Sequence, residues 1–205
     1  DQKIDIAIIE VSSFQIEASS GLESEIGILL NVEEDHIDRH KSFEIYKSLK
    51  LRVLQKSNIN ISKLENKIAG KEFYDYEEYF PESHILNNPT LKKWPIHDVF
   101  NLKASLLALK LILEKKENLE ISDVNDFLDK AIGAIASFKK QPHRFEVLGK
   151  VNDVTYVNDS KATNFDATLK SIESSRYLNK EGNIYLICGG DLKEQSLSKE
   201  NAVIF

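Results

Sequence analysis

Gly27-Ile28-Leu29-Leu30-Asn31-Val32 repeats, after a polar stretch, the pattern of Ile4-Asp5-Ile6-Ala7-Ile8-Ile9-Glu10-Val11. Both are short runs rich in Ile or Leu, with acidic residues at or just beyond their ends. Such runs suit strands buried on both faces of a parallel sheet. The period then changes. Residues 43–54 carry apolar side chains at Phe43, Ile45, Tyr46, Leu49, Leu51, Val53 and Leu54, which suits a helix with one wet side. Residues 57–95 read as short strands joined by loops. A continuous Leu/Ala stripe makes 99–113 a buried helix. A second helix is expected over 124–138, with Ser122 or Asp123 as its N-cap.

Lys139-Lys140-Gln141-Pro142 is a polar break, read here as a domain boundary. Beyond it, residues 145–148 and 154–157 flank Asn152-Asp153, which predicts a β-hairpin. A helix follows over 166–174, then a strand over 183–188 that Gly189-Gly190-Asp191 turns at its end. Cys188 closes that strand and reads as a core residue, not a nucleophile. Alternating strands and helices predict an α/β protein with mainly parallel sheets.

Composition narrows the function. The 205 residues carry 33 acidic and 27 basic side chains, for a formal charge of -6. A general nucleic-acid binder needs a basic face and is excluded on that balance. An anionic nucleotide is not, since a few backbone amides and one or two cations hold it. The one cysteine cannot form an internal disulfide. No apolar run approaches a membrane span, and the first residues do not form a signal peptide. Asp1-Gln2-Lys3 runs straight into an apolar strand, and Asn201-Ala202-Val203-Ile204-Phe205 reads as a strand cut mid-fold. Both ends look internal, so the chain is expected to be an excerpt of a longer protein.

Four places can carry chemistry. Glu10 and the cluster Glu34-Asp35-His36 with Asp38 lie at the ends of the first two expected strands, where ligands of open α/β sheets bind. A carboxylate and an imidazole there could hold a Mg²⁺ that bridges phosphate oxygens; a solvated loop with a helix cap explains the same residues. Arg144, just past the polar break, could be a phosphate or ribose contact or a surface cation. Asn158-Asp159-Ser160-Lys161-Ala162-Thr163-Asn164 follows a strand and precedes a helix, the position where anions bind. Capping accounts for its Asp, Ser or Asn, but not for Lys161. Gly189-Gly190-Asp191 with Lys193 is a weaker signal of the same kind. His40, His84 and Trp94 belong to no constellation, and no G-x-x-x-x-G-K-[ST] loop occurs.

These segments resemble the Mur ligase superfamily. The resemblance rests on Glu10-Val11-Ser12-Ser13-Phe14-Gln15, Asn31-Val32-Glu33-Glu34-Asp35-His36-Ile37-Asp38-Arg39, Lys50-Leu51-Arg52 and Pro142-His143-Arg144-Phe145. Residues 158–164 and Gly189-Gly190-Asp191 complete it, in the family's order. The Ser-Ser-Phe-Gln and Asn-Asp-Ser-Lys-Ala-Thr-Asn strings are similar to the branch that adds D-glutamate to UDP-N-acetylmuramoyl-L-alanine. Sister branches add other amino acids or a dipeptide, or add glutamate to a folate.

The resemblance implies a three-domain, monomeric cytoplasmic enzyme that uses ATP and Mg²⁺. Residues 1–140 would be the later part of the central ATPase domain, and 141–205 the start of a Rossmann-like C-terminal domain. The missing phosphate loop would lie upstream, and the chain alone would be inactive. Glu10 and His36 match Mg²⁺ ligands, and Lys50 matches a lysine carried as a carbamate that binds a second Mg²⁺. Ser12 and Gln15 would lie near the muramoyl substrate, and Asn101 near adenine. Arg144 and Asp159 would reach phosphate and ribose. Lys161, Thr163 and Lys193 would approach the acyl phosphate and D-glutamate. The chain departs from the family at Asp98, where Asn is usual, and at Leu192, where Gly is usual. The Lys50 match also needs a one-residue gap before it. A non-catalytic nucleotide-binding protein on the same fold is the alternative of a different class.

Overall fold

The computed structural model describes residues 5–79, 88–89, 91, 94–116, 121–135 and 137–190. Its centre is a three-stranded parallel sheet in the order β1 (Ser24–Leu29), β2 (Ser57–Ser62), β3 (Glu72–Asp75). Ser24 pairs with Ser57 and Leu29 with Ser62, and Ile59 pairs with Glu72 on the other side. All three strands therefore end on the same edge.

Period-2 alternation divides the sheet residues between two layers. Ile26, Ile59 and Ile61 turn to the face covered by α5 (Ile96–Lys116), where Ala104, Leu107 and Leu111 meet them. The other side of α5 packs Val99, Leu102, Leu106 and Leu113 against Leu128 of α6 (Ile121–Ile135). The expected apolar stripe along 99–113 is thus buried on two sides, between a sheet and a helix. On the opposite face of the sheet lies α3 (Phe43–Gln55), capped by Ser42, whose Oγ accepts from the Ile45 amide at 3.3 Å. Two short helices precede it, α1 (Ser13–Ala18) and α2 (Ile37–His40), and α4 (Tyr76–Tyr79) follows β3.

Gly27 makes the seat of α3 possible. A Cβ built there would lie 2.3 Å from Ser57 Oγ and 2.8 Å from the Val53 carbonyl oxygen. Any side chain would push the helix off the sheet.

The C-terminal part holds β4 (Glu146–Val151), β5 (Val154–Asn158) and α7 (Phe165–Leu178). The two strands form the expected antiparallel hairpin. Asn152 and Asp153 turn it with φ of 47° and 63°, the left-handed pair of a type I′ turn. Gly149, at φ 153°, sits at a break in register between Val147 and Gly149.

Several expectations are corrected. Residues 5–11 form no strand, and Ile8 is 95% exposed. Residues 183–188 form none either: Ile187 is 97% exposed and Cys188 lies on the surface, not in a core. Both runs have strand composition, but no described strand lies beside them to satisfy their backbone groups and cover their side chains. Composition selects a strand only where a ladder exists to receive it. The second helix begins at 121 and ends at 135, so Ser122 and Asp123 lie inside its first turn instead of capping it. The parallel sheet is confined to the central part, and the described C-terminal residues show an antiparallel hairpin and one helix. His84, Asp191, Leu192 and Lys193 lie outside the described residues.

Gly27→Ala is expected to lower stability by about 1–3 kcal/mol through overpacking against backbone. Urea unfolding of the variant and its parent, read as a shift in midpoint at constant slope, measures it.

Candidate active site

At the carboxyl edge of the sheet, the chain leaves β1 and passes through Glu33-Glu34-Asp35 to His36. His36 adopts φ 54°, ψ 32°, a left-handed conformation that residues with a Cβ seldom take. The Asp35 carboxylate holds it there, accepting from the His36 amide at 2.8 Å. The second Asp35 oxygen lies 3.6 Å from His36 Nε2. Phe14 braces the imidazole edge-on, with ring centroids 5.0 Å apart.

These residues form one wall of a cavity of about 320 Å³, which Glu10, Ser12, Gln15, Tyr46 and Lys50 help to line. Tyr46 and Lys50 are four apart on α3 and so project side by side. The Lys50 ammonium lies 5.9 Å from the centre of the Tyr46 ring. Burial lowers the Lys50 pKa, while the charges of Glu10 and Asp35 oppose the shift. Burial, with a contribution from Asp35, raises that of Tyr46.

Of the residues expected to act, the structure gathers Glu10, Ser12, Gln15, His36 and Lys50 around this cavity. Ser12 and Gln15 are engaged locally as a capping box for α1. The Ser12 amide donates to Gln15 Oε1 at 2.8 Å, and the Gln15 amide donates to Ser12 Oγ at 3.3 Å.

Arg144, Asp159, Lys161 and Thr163 do not line the cavity. They sit on two loops that pack on each other. Asp159 Oδ1 accepts from the Phe145 amide at 3.0 Å, and the Lys161 amide donates to the His143 carbonyl at 3.1 Å. Arg144 Nε donates to Gln141 Oε1 at 3.4 Å, and Arg144, Lys161 and Thr163 are exposed. Asn101 is exposed on α5, one turn from His97. Burial lowers the His97 pKa; Asp98, 3.5 Å away, opposes this, and Lys140 adds to it.

Two groups of importance were not singled out from the sequence. His40, given no role, is buried, and its Nε2 lies 3.0 Å from the buried Ser13 Oγ. It ties α2 to α1. Tyr46 lines the cavity, and its position one turn before Lys50 was the available signal.

The Mur ligase middle-domain family matches residues 1–79. Over 97% of its length the chain is 31% identical to the UDP-N-acetylmuramoylalanine–D-glutamate ligase of Buchnera aphidicola subsp. Acyrthosiphon pisum. It is 29% identical over 97% to the ligase of that name from Prochlorococcus marinus, and 32% over 94% to that from Francisella tularensis. The chain spans 47% of the Buchnera ligase and 44% of the other two.

The cavity suits Mg²⁺ in part. Glu10 offers a hard carboxylate oxygen and His36 an imidazole, and phosphate oxygens commonly complete such a site. Among the described residues, no three His, Cys, Asp or Glu side chains form a metal cluster. An ammonium at Lys50 has the wrong sign for a cation's neighbour, whereas its N-carboxylate would supply the missing oxygens.

A lysine with a lowered pKa holds more neutral amine at a given pH than a surface lysine. Lys50 is therefore expected to be acylated at lower pH than the exposed Lys150 or Lys161, as peptide mapping by mass spectrometry across a pH series would show.

Proposed function

We propose that the complete protein carrying this chain is an ATP-dependent, ADP-forming ligase that adds D-glutamate to UDP-N-acetylmuramoyl-L-alanine for peptidoglycan synthesis. The observation that carries this reading is the meeting of Glu10, His36 and Lys50 on one cavity at the carboxyl edge of a parallel sheet. It occurs in a chain alignable almost end to end with ligases of that name. In this reading residues 1–140 are the later part of the ATPase domain, and 141–205 open a Rossmann-like C-terminal domain. The enzyme works as a cytoplasmic monomer, where ATP and nucleotide-linked sugars are found. No described helix is long and apolar enough to cross a membrane.

A carboxylate does not react with an amine until it is activated. The L-alanyl carboxylate attacks the γ-phosphorus of ATP, forming an acyl phosphate and releasing ADP. The D-glutamate amine then adds to the acyl carbon, and the tetrahedral intermediate expels phosphate as the amide forms. Two anions approach in the first step, so offsetting their charge is the chief demand on the protein. Mg²⁺, when bound, supplies positive charge at the phosphate oxygens. Glu10, His36 and a carbamylated Lys50 are the residues that would hold it, with the carbamate serving a second ion.

The remaining roles rest on the matching sequence motifs. Lys161 and Thr163, on the loop before α7, and Lys193 would approach the acyl phosphate and D-glutamate. Arg144 and Asp159 contact phosphate and ribose, and Asn101 lies on the adenine side. Ser12 and Gln15, fixed to each other by the capping box, present their outer edges to the muramoyl substrate.

Phosphate release from ATP by the complete protein, given UDP-N-acetylmuramoyl-L-alanine and a panel of amino acids, tests the reading. Release that depends on D-glutamate alone is expected. Release with another amino acid reassigns the substrate, and none with any amino acid overturns the ligase. Lys50→Ala is expected to abolish turnover, with partial rescue by short carboxylates. Near-normal rates in that variant, without rescue, would remove the carbamate.

A further inference from the structure

The junction between the central sheet and the C-terminal hairpin and helix is held by polar side chains of one polarity. Among the described residues, two contacts set an acceptor of the central part against a donor of the C-terminal part. Glu33 lies 3.7 Å from Lys170 of α7. Asp35 Oδ2 accepts from Asn164 Nδ2 at 3.3 Å. Asn164 is the N-cap of α7, and its Oδ1 accepts from the Ala167 amide at 2.8 Å. No described strand or helix of the C-terminal part packs broadly against the sheet or its helices. An interface built this way is weak and separable, as junctions between domains commonly are.

One of the two links enters the cavity. Asp35 lines it, its Oδ1 holds the His36 amide, and its Oδ2 is the atom that Asn164 grips. Its carboxylate is largely covered, with 15% of its side chain exposed, so it has few other settings. When α7 docks, the Asn164 amide fixes Asp35, and Asp35 fixes the left-handed turn that presents the His36 imidazole. When α7 leaves, Asp35 loses that donor, and its hold on the His36 turn loses that brace.

We propose that Asp35 is a positioning residue that couples docking of the C-terminal part, through Asn164, to the orientation of His36. The coupling rests on the ligase reading only for its effect on turnover. The docking itself is independent of it.

The test is a donor–acceptor swap in the complete protein. Asn164→Asp keeps a strong N-cap for α7 but sets a carboxylate against Asp35. Combining Asp35→Asn with Asn164→Asp reverses the bond. The side-chain amide introduced by Asp35→Asn would donate its N–H to the new carboxylate, while its oxygen still accepts from the His36 amide. The distance between spin labels on α3 and α7 is measured with ATP analogue and substrate present, and phosphate release is measured alongside. Asn164→Asp is expected to lengthen the distance and lower kcat about tenfold at an unchanged unfolding midpoint. The double variant is expected to restore the distance and most of kcat. An unchanged distance in Asn164→Asp, or a double variant no closer to the parent than the single one, overturns the coupling. If the parent releases no phosphate with any amino acid, the ligase reading fails, and the distances alone decide the proposal.

Discussion

The close seat of α3 on β1 over Gly27 is the constraint on which the site depends. One end of that helix meets the sheet at Val53 and Leu54, and its middle carries Tyr46 and Lys50 to the cavity. The helix seated in this way carries Lys50 to a covered position, and that burial lowers its pKa. Arg52 strengthens the seat from the side, donating to the Ser19 carbonyl at 3.0 Å, and Arg39 reaches Glu17 at 2.9 Å. The two short helices that frame the cavity are thus tied to the one helix that the sheet fixes.

Beneath this, β2 carries polar side chains where a central strand ordinarily carries apolar ones. Ser57, Asn60 and Ser62 are fully buried, and Asn66 nearly so. Their groups are matched to each other and to backbone: Ser57 Oγ donates to Asn60 Oδ1 at 2.6 Å, and Ser62 Oγ donates to the Leu29 carbonyl at 2.6 Å. Asn66 Nδ2 donates to Ser62 Oγ at 3.1 Å. Within this group, Asn60 Nδ2 is the atom without a partner. A network matched to this degree fixes register, because a slip of one residue would bury donors against aliphatic side chains. Apolar packing on the other face, through Ile59 and Ile61 against α5, supplies the burial free energy.

Much of this was legible in the residues. The run at 27–32 announced a strand, which lies three residues earlier at Ser24–Leu29, the runs at 43–54 and 99–113 announced two helices, and Asn152-Asp153 announced its turn by the backbone it tolerates. The cavity residues could be named because their motifs resemble those of the Mur ligases, since a capped loop explains the acidic cluster alone as well. The two strands that failed did so for one cause. Residues 5–11 and 183–188 have strand composition, but a strand is a pairing and not a property of a segment. Ser12 and Gln15 had two readings, as substrate contacts and as a cap, and only the geometry exposed the second.

Local chemistry, which travels with the sequence, determined the helices, the hairpin turn, the caps at Ser42 and Asn164, and the donor types available for catalysis. The tertiary structure decided which of those donors meet. That Asp35 holds His36 on one side and receives Asn164 on the other depends on residues 129 positions apart. That Lys50 and Tyr46 of α3 share a cavity with Glu10 depends on how α3 packs beside residues 10–15. Distances between remote residues follow from packing and loop closure, which no local pattern encodes.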